Sequence, residues 1–195
     1  MTGTRGRPRS EDARRAILRA ALDLCERDGY QGVTIKAIAE AAGVGRQTVY
    51  RWWPDKASVL LEALVDLAKD QGALWPPEPP SDVLAAVEEL LTTVYELART
   101  NTGTALVGLM ADAQSNAELA KQLRDSVLGP RRAVLRELLA RGVETGELNA
   151  AVSLDLVVDF AFGAMWYRLL GQHAPVHAAL AREVTAAIGA MLGKR

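Results

Sequence analysis

The stretch AEAAGVGRQTVYRWWPDK, residues 39–56, combines side chains that one helix rarely carries together. Arg46, Gln47 and Arg51 would be costly inside a protein core, because buried polar and charged groups need partners. Trp52 and Trp53 would be unusual on a helix that faces only water. The segment therefore predicts a short helix with one face packed on a core and the other facing a binding partner.

A tight turn connects this helix to the helix before it. Ala39 is a small residue where two crossing helices approach each other, and Gly43, four residues later, tolerates the positive φ that the turn requires. Apolar residues at suitable spacing then lock the two helices together: Ile38, Val44, Val49 and Trp53. This pattern predicts a helix-turn-helix, which places its second helix in the DNA major groove.

The outward residues of the second helix suit base and phosphate recognition. Arginine can pair with guanine and glutamine with adenine, and threonine can contact a thymine methyl group or a phosphate. Tyr50 and Lys56 suit phosphate oxygens, as do the helix N-termini near Thr34 and Lys56. The predicted DNA-binding residues of this region are Thr34, Arg46, Gln47, Thr48, Tyr50, Arg51, Trp52 and Lys56.

The remaining chain has helical periodicity, with abundant Ala and Leu and few aromatic residues. The prolines of WPPEPPSD, residues 75–82, exclude a helix there and indicate a stiff connector. We expect an all-α fold of about nine helices in two layers. The expected helix signals are caps at Ser10, Thr34, Asp55 and Ser81, a stop at Gly29 and a start at Pro130.

These boundaries predict five regions. The expected regions are a flexible basic arm (1–9), a three-helix helix-turn-helix DNA-binding domain (10–56), a connecting helix (57–74), the proline-rich connector (75–80) and a helical effector-binding and dimerisation domain (81–195). Residues 1–60 contain eleven basic and seven acidic residues, whereas the remainder contains twelve basic and seventeen acidic residues. A basic region joined to an acidic body fits a polyanion-binding module.

Composition also indicates the compartment. No apolar run approaches the roughly 20 residues that span a bilayer, and the N-terminus lacks the apolar segment of a secretory signal. Cys25 is the single cysteine and is expected to pack as a small apolar group. A cytoplasmic protein without membrane contact is the expectation.

Residues 13–64 resemble the N-terminal domain of the tetracycline-repressor (TetR-like) family of bacterial transcriptional regulators. The resemblance rests on the apolar pattern of the first helix, Gly29-Tyr30, the Thr34 cap, Ile38-Ala39, Ala42-Gly43-Val44, Thr48-Val49-Tyr50 and Lys56. Cys25, Gln47 and Trp52-Trp53 depart from the commoner family residues. The resemblance implies a homodimer on a palindromic operator and an effector pocket in the C-terminal region.

Three arginines precede the first helix: Arg5, Arg7 and Arg9. A flexible basic arm can enter a narrow, A·T-rich minor groove. The same composition also suits a disordered solubilising tail, and both interpretations remain open at this point.

In the C-terminal region the candidate pocket residues are Leu91, Tyr95, Leu106, Met110, Trp166 and Tyr167, with a plain core as the alternative. Wide apolar faces on the last two helices predict a dimer interface containing Phe162, Met165, Ile188 and Met191. Asp159 and Arg168 could orient a polar ligand group or form ion pairs. His173 and His177 flank Pro175 without a third ligand, so no metal site is expected.

The expected function is a DNA-binding transcriptional regulator, most simply a repressor, that binds double-stranded DNA as a homodimer under control of a small-molecule effector. A nonspecific architectural DNA binder is one alternative, although a net charge of −1 disfavours it. An all-helical enzyme is the other, but no nucleophile–base set or phosphate loop is present; GVGRQT lacks the GK[ST] ending. No cofactor is expected.

Overall fold

Helices form all of the regular secondary structure in residues 7–70, 81–149 and 152–193, the parts of the chain that the computed structural model describes. The expected all-α fold is confirmed. None of the described helices is both long and apolar enough to cross a bilayer. The helices are α1 (Arg7–Gly32), α2 (Ile35–Ala41), α3 (Arg46–Tyr50), α4 (Lys56–Asp70), α5 (Val83–Ala98), α6 (Asn101–Ala113), α7 (Ala117–Leu123), α8 (Gly129–Glu144), α9 (Leu154–Gly171) and α10 (Ala178–Leu192).

Local capping signals explain most of the helix ends. The Thr34 hydroxyl accepts a hydrogen bond from the Ala37 amide (3.1 Å), as predicted for the cap of α2. The Asp55 carboxylate accepts from the Ser58 amide (2.8 Å) and so caps the start of α4. Gly29, with φ 70°, interrupts α1 at the predicted position.

Two predicted helix starts were wrong. The first helix begins at Arg7 rather than after Ser10. Asp82, not Ser81, caps α5, because its carboxylate lies at the spacing that accepts the Ala85 amide (2.9 Å). The predicted start at Pro130 agrees with α8, in which Pro130 follows the first residue, and α7 leads into this helix through a π-helical turn over residues 124–128. Proline has no amide proton to donate, so it fits directly after this wider turn.

The first hydrophobic core combines the helix-turn-helix with part of the C-terminal region. Apolar residues of α1–α4 pack with residues of α6 and α7, among them Leu109 and Leu123. Cys25 is fully buried in this core, and burial raises the pKa of its thiol to about 11. The thiol is therefore neutral at physiological pH and packs as a small apolar group, as predicted.

A second core lies among α5, α8, α9 and α10. Leu135, Leu139, Val158 and Ile188 are among its fully or almost fully buried members. Trp166 of α9 packs against both cores. The hydrophobic cores are therefore not divided at the proline-rich connector 75–80, which lies outside the described residues, because α6 and α7 belong with the N-terminal helices.

Tyr30 joins the end of α1 to α6. Its hydroxyl donates a 2.5 Å hydrogen bond to Asp112, and burial followed by this contact raises the pKa of the phenol well above its usual value. Its ring lies directly against Gly108, where a β-carbon would come within 2.0 Å of Tyr30 Cγ. Lys56 Nζ donates to the Tyr30 carbonyl (2.8 Å) from the other side. Only glycine at position 108 permits this approach. The contact therefore depends on Tyr30 in α1 and on Gly108 in α6.

Candidate DNA-binding surface and effector cavity

The turn between α2 and α3 has the geometry of a helix-turn-helix. Gly43 has a φ of 67°, as the sequence predicts, and the Val44 amide donates to the Ala39 carbonyl (2.9 Å). Ile38 and Val49 are fully buried, and Ala39 is almost fully buried. Gly43 therefore permits the turn, and apolar packing holds α2 against α3.

The opposite face of α3 is polar and open. Arg46, Gln47, Tyr50 and Arg51 are exposed, with Tyr50 at 51% exposure, and Thr48 is half-buried. No carboxylate of the described residues lies within 4 Å of Arg46 or Arg51. Both guanidinium groups consequently keep their hydrogen-bond donors available for a ligand.

A network of hydrogen bonds and ion pairs connects Trp53, which follows α3, to α1 and α4. Trp53 Nε1 donates to one oxygen of Glu62 (2.7 Å), and Arg14 Nε donates to the other (2.7 Å). Arg14 also donates to Asp66 (2.9 Å). Because Trp53 is almost completely buried, this network holds α3 and its exposed polar face in a defined orientation on α1 and α4.

A cavity of about 230 Å³ lies in the C-terminal region between α5, α6, α8 and α9. Its walls are mainly apolar and include Leu106 and Trp166, two of the predicted pocket residues. Its polar groups come from Thr102, Arg131, Arg132 and Asp159. An apolar cavity with a few placed polar groups is the general form of a small-molecule site.

Comparison with known proteins decides the family. Residues 17–63 match the family model for bacterial regulatory proteins of the tetR family, and residues 81–188 match the tetracyclin repressor-like C-terminal domain. The chain belongs to the TetR family. It is a DNA-binding transcriptional regulator with the TetR fold and not an enzyme.

Relatives of this TetR-family chain include other transcriptional regulators. An uncharacterized HTH-type transcriptional regulator, YdeS of Bacillus subtilis, is 35% identical over 87% of this chain and 84% of its own length. The DNA-binding transcriptional repressor TetR of Mycobacteroides abscessus is 27% identical over 83% of this chain and 84% of its own length. The crystal structure of the TetR-family regulator SCO0332 is 28% identical, covers 93% of this chain and 98% of that one, and superposes with a TM-score of 0.72.

Two of the predicted DNA-binding residues have internal roles in the TetR fold. Lys56 is half-buried: its ammonium group donates to the Tyr30 carbonyl and lies 4.5 Å from the Tyr30 ring centroid. Trp52 is half-buried against Trp53, with the rings edge to face at 5.4 Å and the Arg51 guanidinium 5.2 Å from its centroid. Thr34 is exposed but its hydroxyl is used to cap α2.

The three arginines of the predicted N-terminal arm lie wholly or partly outside the described residues. Arg5 lies outside the described residues, and Arg7 and Arg9 lie in the first turns of α1 with side chains outside the described part. Their contact with a minor groove stays a prediction.

Four of the six predicted pocket residues do not line the cavity. Leu91 and Tyr95 are fully buried in the second core, where the Tyr95 hydroxyl donates to the Ala161 carbonyl (2.6 Å). Met110 packs against the first core instead. Tyr167 is 72% exposed beside His173, at 4.7 Å between ring centroids. Helical periodicity identified apolar positions but could not distinguish a core position from a cavity wall.

The cavity contains residues that sequence reasoning missed. Val127, Leu128 and Arg131 come from the π-helical turn and the start of α8 and reach the cavity together. Phe162 lines it as well, although the sequence assigned this residue to a dimer interface. In the sequence, the available signal was an arginine one turn after the apolar pair Val127-Leu128.

Three predicted dimer-interface residues are buried within one protomer. Phe162, Met165 and Ile188 are at most 7% exposed, and Met191 is half-buried against the second core. The exposed apolar residues of α9 occupy a different face, with the spacing of one helical stripe: Leu156, Phe160, Tyr167 and Leu170. The apolar pattern was wide enough to cover both faces, and the prediction chose the inner one.

The remaining polar candidates pair with other groups. Asp159 forms an ion pair with Arg132, and Arg168 donates to the Pro175 carbonyl (2.9 Å). His177 caps α10, its ring nitrogen accepting from the Leu180 amide (3.3 Å). Within the described ranges, no three or more metal-ligating side chains lie together.

Replacement of Trp53 by Phe should lower the free energy of unfolding by about 1–3 kcal/mol, because it removes both the indole donor to Glu62 and part of a buried ring system. Trp52→Phe is the matched control, since the Trp52 indole makes no hydrogen bond within the described residues and is only half-buried, and it should change stability by less than about 0.5 kcal/mol. Urea unfolding of the two variants measures the difference. Equal losses would show that the Trp53–Glu62 hydrogen bond does not stabilise the recognition face.

Proposed function

We propose that this regulator acts in the cytoplasm as a homodimeric repressor on a palindromic operator, and that a small molecule in the C-terminal cavity controls DNA binding. The observation that carries DNA recognition is the open face of α3, on which Arg46, Gln47, Tyr50 and Arg51 are exposed on a rigidly supported helix. This face suits the major groove.

The two ends of the face have different roles in recognition. Arg46 and Gln47 lie at the N-terminal end of α3, from which recognition helices contact base edges, and their side chains match guanine and adenine. Tyr50 and Arg51 lie one turn later and suit phosphate oxygens. Base contacts would specify the sequence, whereas phosphate contacts would set the helix orientation.

A second copy of the chain would provide the second half-site contact. The exposed stripe of α9 presents Leu156, Phe160 and Leu170, a concentration of apolar surface that a monomer seldom leaves uncovered. The neighbouring α10 exposes the small residues Ala186 and Ala190, which permit close helix approach. Pairing of these faces across a two-fold axis would bury the stripe and place two recognition helices on one side of the DNA.

An effector could act on DNA binding through α6. The cavity contacts Thr102 and Leu106 of this helix, and the next turns carry Gly108 and Asp112, which hold Tyr30. A ligand that displaces α6 would therefore displace the end of α1 next to the helix-turn-helix. Binding then shifts the population between conformations with different spacing of the recognition helices.

Nonspecific architectural binding is the competing function. It requires a broadly basic surface, because its affinity comes from phosphate neutralisation. The chain has a net charge of −1, and many of its described arginines are paired with carboxylates, for example Arg14 and Arg136. The unpaired groups on α3 favour sequence-specific recognition instead.

Selection of bound duplexes from a random pool, with purified full-length protein at near-physiological salt, tests DNA recognition. We expect an enriched palindrome. Arg46→Ala and Gln47→Ala should each relax one base position per half-site and cost about 1–3 kcal/mol in binding, because each removes one base contact. Lys121→Ala, which removes an exposed cation from α7, is the control and should leave the selected sequence unchanged.

Two results would contradict specific recognition by α3. One is the absence of any enriched sequence, together with binding that disappears as salt rises, which indicates phosphate contact alone. The other is an enriched palindrome whose sequence is the same for wild type, Arg46→Ala and Gln47→Ala.

A charge introduced into the exposed apolar stripe of α9 tests the proposed dimer interface. Leu156→Glu should convert the protein to monomers in sedimentation velocity, since an unpaired carboxylate in an apolar interface is costly. Ala133→Glu adds the same charge at an exposed position of α8 and should stay dimeric. A Leu156→Glu protein that sediments as the wild-type dimer would place the interface elsewhere.

A further inference from the structure

The cavity wall carries a net positive charge. Its lining contains two arginines and one aspartate, whereas most of the other lining side chains are apolar. The charges are not equally compensated. Arg132 and Asp159 pair with each other, and their side chains are 39% and 59% exposed. That pair is neutral as a whole and accessible to water, so it contributes little attraction for a charged ligand.

Arg131 has no such compensation. It is half-buried, and one guanidinium N–H donates to the Val127 carbonyl (3.0 Å). No carboxylate in the described ranges lies within 4 Å of it. A guanidinium group has five donors and stays protonated, even though burial lowers the pKa of Arg131. The cavity therefore contains one persistent positive charge with unused donors.

This arrangement costs stability in the empty protein. A partly desolvated charge without a counter-ion is unfavourable, and an anion held by paired hydrogen bonds would relieve that cost. Arginine is also the side chain whose planar donor geometry best matches a carboxylate. Most other lining side chains are apolar, among them Val94, Leu106 and Phe162, and suit an apolar ligand body.

The cavity volume limits the size of the ligand. An apolar cavity of about 150 Å³ holds one benzene molecule. The volume of about 230 Å³ therefore accommodates one ring with a short substituent or a comparable aliphatic chain, but not a large polycyclic molecule.

We propose that the effector is a small amphipathic monocarboxylate, with an aromatic or medium-chain aliphatic body, whose carboxylate binds Arg131. The body occupies the space between α5, α6 and α9. This inference rests on the proposed role of the cavity as the effector site. The carboxylate of the ligand would bind Arg131 of α8, and the body of the ligand would contact α6. One small molecule would therefore connect two helices.

Asp159 is the feature that would support a different ligand. A cationic ligand would need this carboxylate, but Arg132 already neutralises it. A neutral apolar ligand would fill the cavity and leave Arg131 unpaired. Comparison of each acid with its uncharged amide distinguishes these possibilities from the proposal.

The test is calorimetric titration of the full-length protein at neutral pH. The probes are benzoate, 3-phenylpropanoate, hexanoate and octanoate, each with its primary amide. At least one acid should bind saturably, and its amide should bind at least ten-fold more weakly. Arg131→Met should weaken binding of the acid about 10- to 100-fold and leave binding of the amide unchanged. Arg131→Lys should restore part of the affinity.

Arg124→Met is the matched control, because it removes an exposed arginine from the neighbouring π-helical turn and should bind the acid like wild type. The proposal is overturned if no acid binds, if an amide binds as tightly as its acid, or if Arg131→Met binds the acid normally. The first two outcomes are read on the wild-type protein and do not depend on the folding of a variant. Acid binding that leaves operator affinity unchanged would contradict the proposed effector role but support the ligand class.

Discussion

The contact between Tyr30 and α6 joins the helix-turn-helix to a helix that lines the C-terminal cavity. The Tyr30 ring fits only because position 108 is glycine, and its hydroxyl is held by Asp112. Lys56, at the start of α4, holds the Tyr30 carbonyl. One side chain thus connects the end of α1, the first turn of α4 and the middle of α6. Since interiors are close-packed, we expect a shift in α6 to move the neighbouring helices.

The distribution of arginines separates structural from functional charge. Arg14 and Arg136 form ion pairs with carboxylates and hold helices in place. Arg46 and Arg51 on α3 and Arg131 in the cavity have no carboxylate partner in the described ranges. An arginine without a counter-ion is consistent with a site that receives an anion from outside. On our proposals that anion is a nucleic acid at α3 and a carboxylate in the cavity.

The helix-turn-helix could be predicted because its determinants are local. Gly43, Ala39 and Val49 fulfil their roles within one short segment, and the Thr34 and Asp55 caps act over three residues. The exposed residues of α3 followed directly from this register.

The cavity and the α9 surface depend on contacts that periodicity does not encode. Tyr95 and Leu106 are both apolar positions of amphipathic helices, yet one is in the core and the other lines the cavity. Lys56 had the expected position in the motif, but its direction depends on the Tyr30 carbonyl, 26 residues away in sequence. On α9 the inner and outer apolar stripes look alike in sequence, and only the packing of α5, α8 and α10 distinguishes them.

In the proposed regulation, Tyr30 couples DNA binding to the C-terminal body. Amide hydrogen exchange of the full-length protein, with and without its selected operator duplex, tests this most directly. Because coupling is reciprocal, operator binding should change exchange in α6 (Asn101–Ala113) as well as protect α3. In Tyr30→Phe, which lacks the hydroxyl to Asp112, the change should be weaker in α6 and retained in α3. Protection of α3 with no change in α6 of the wild-type protein would contradict the account.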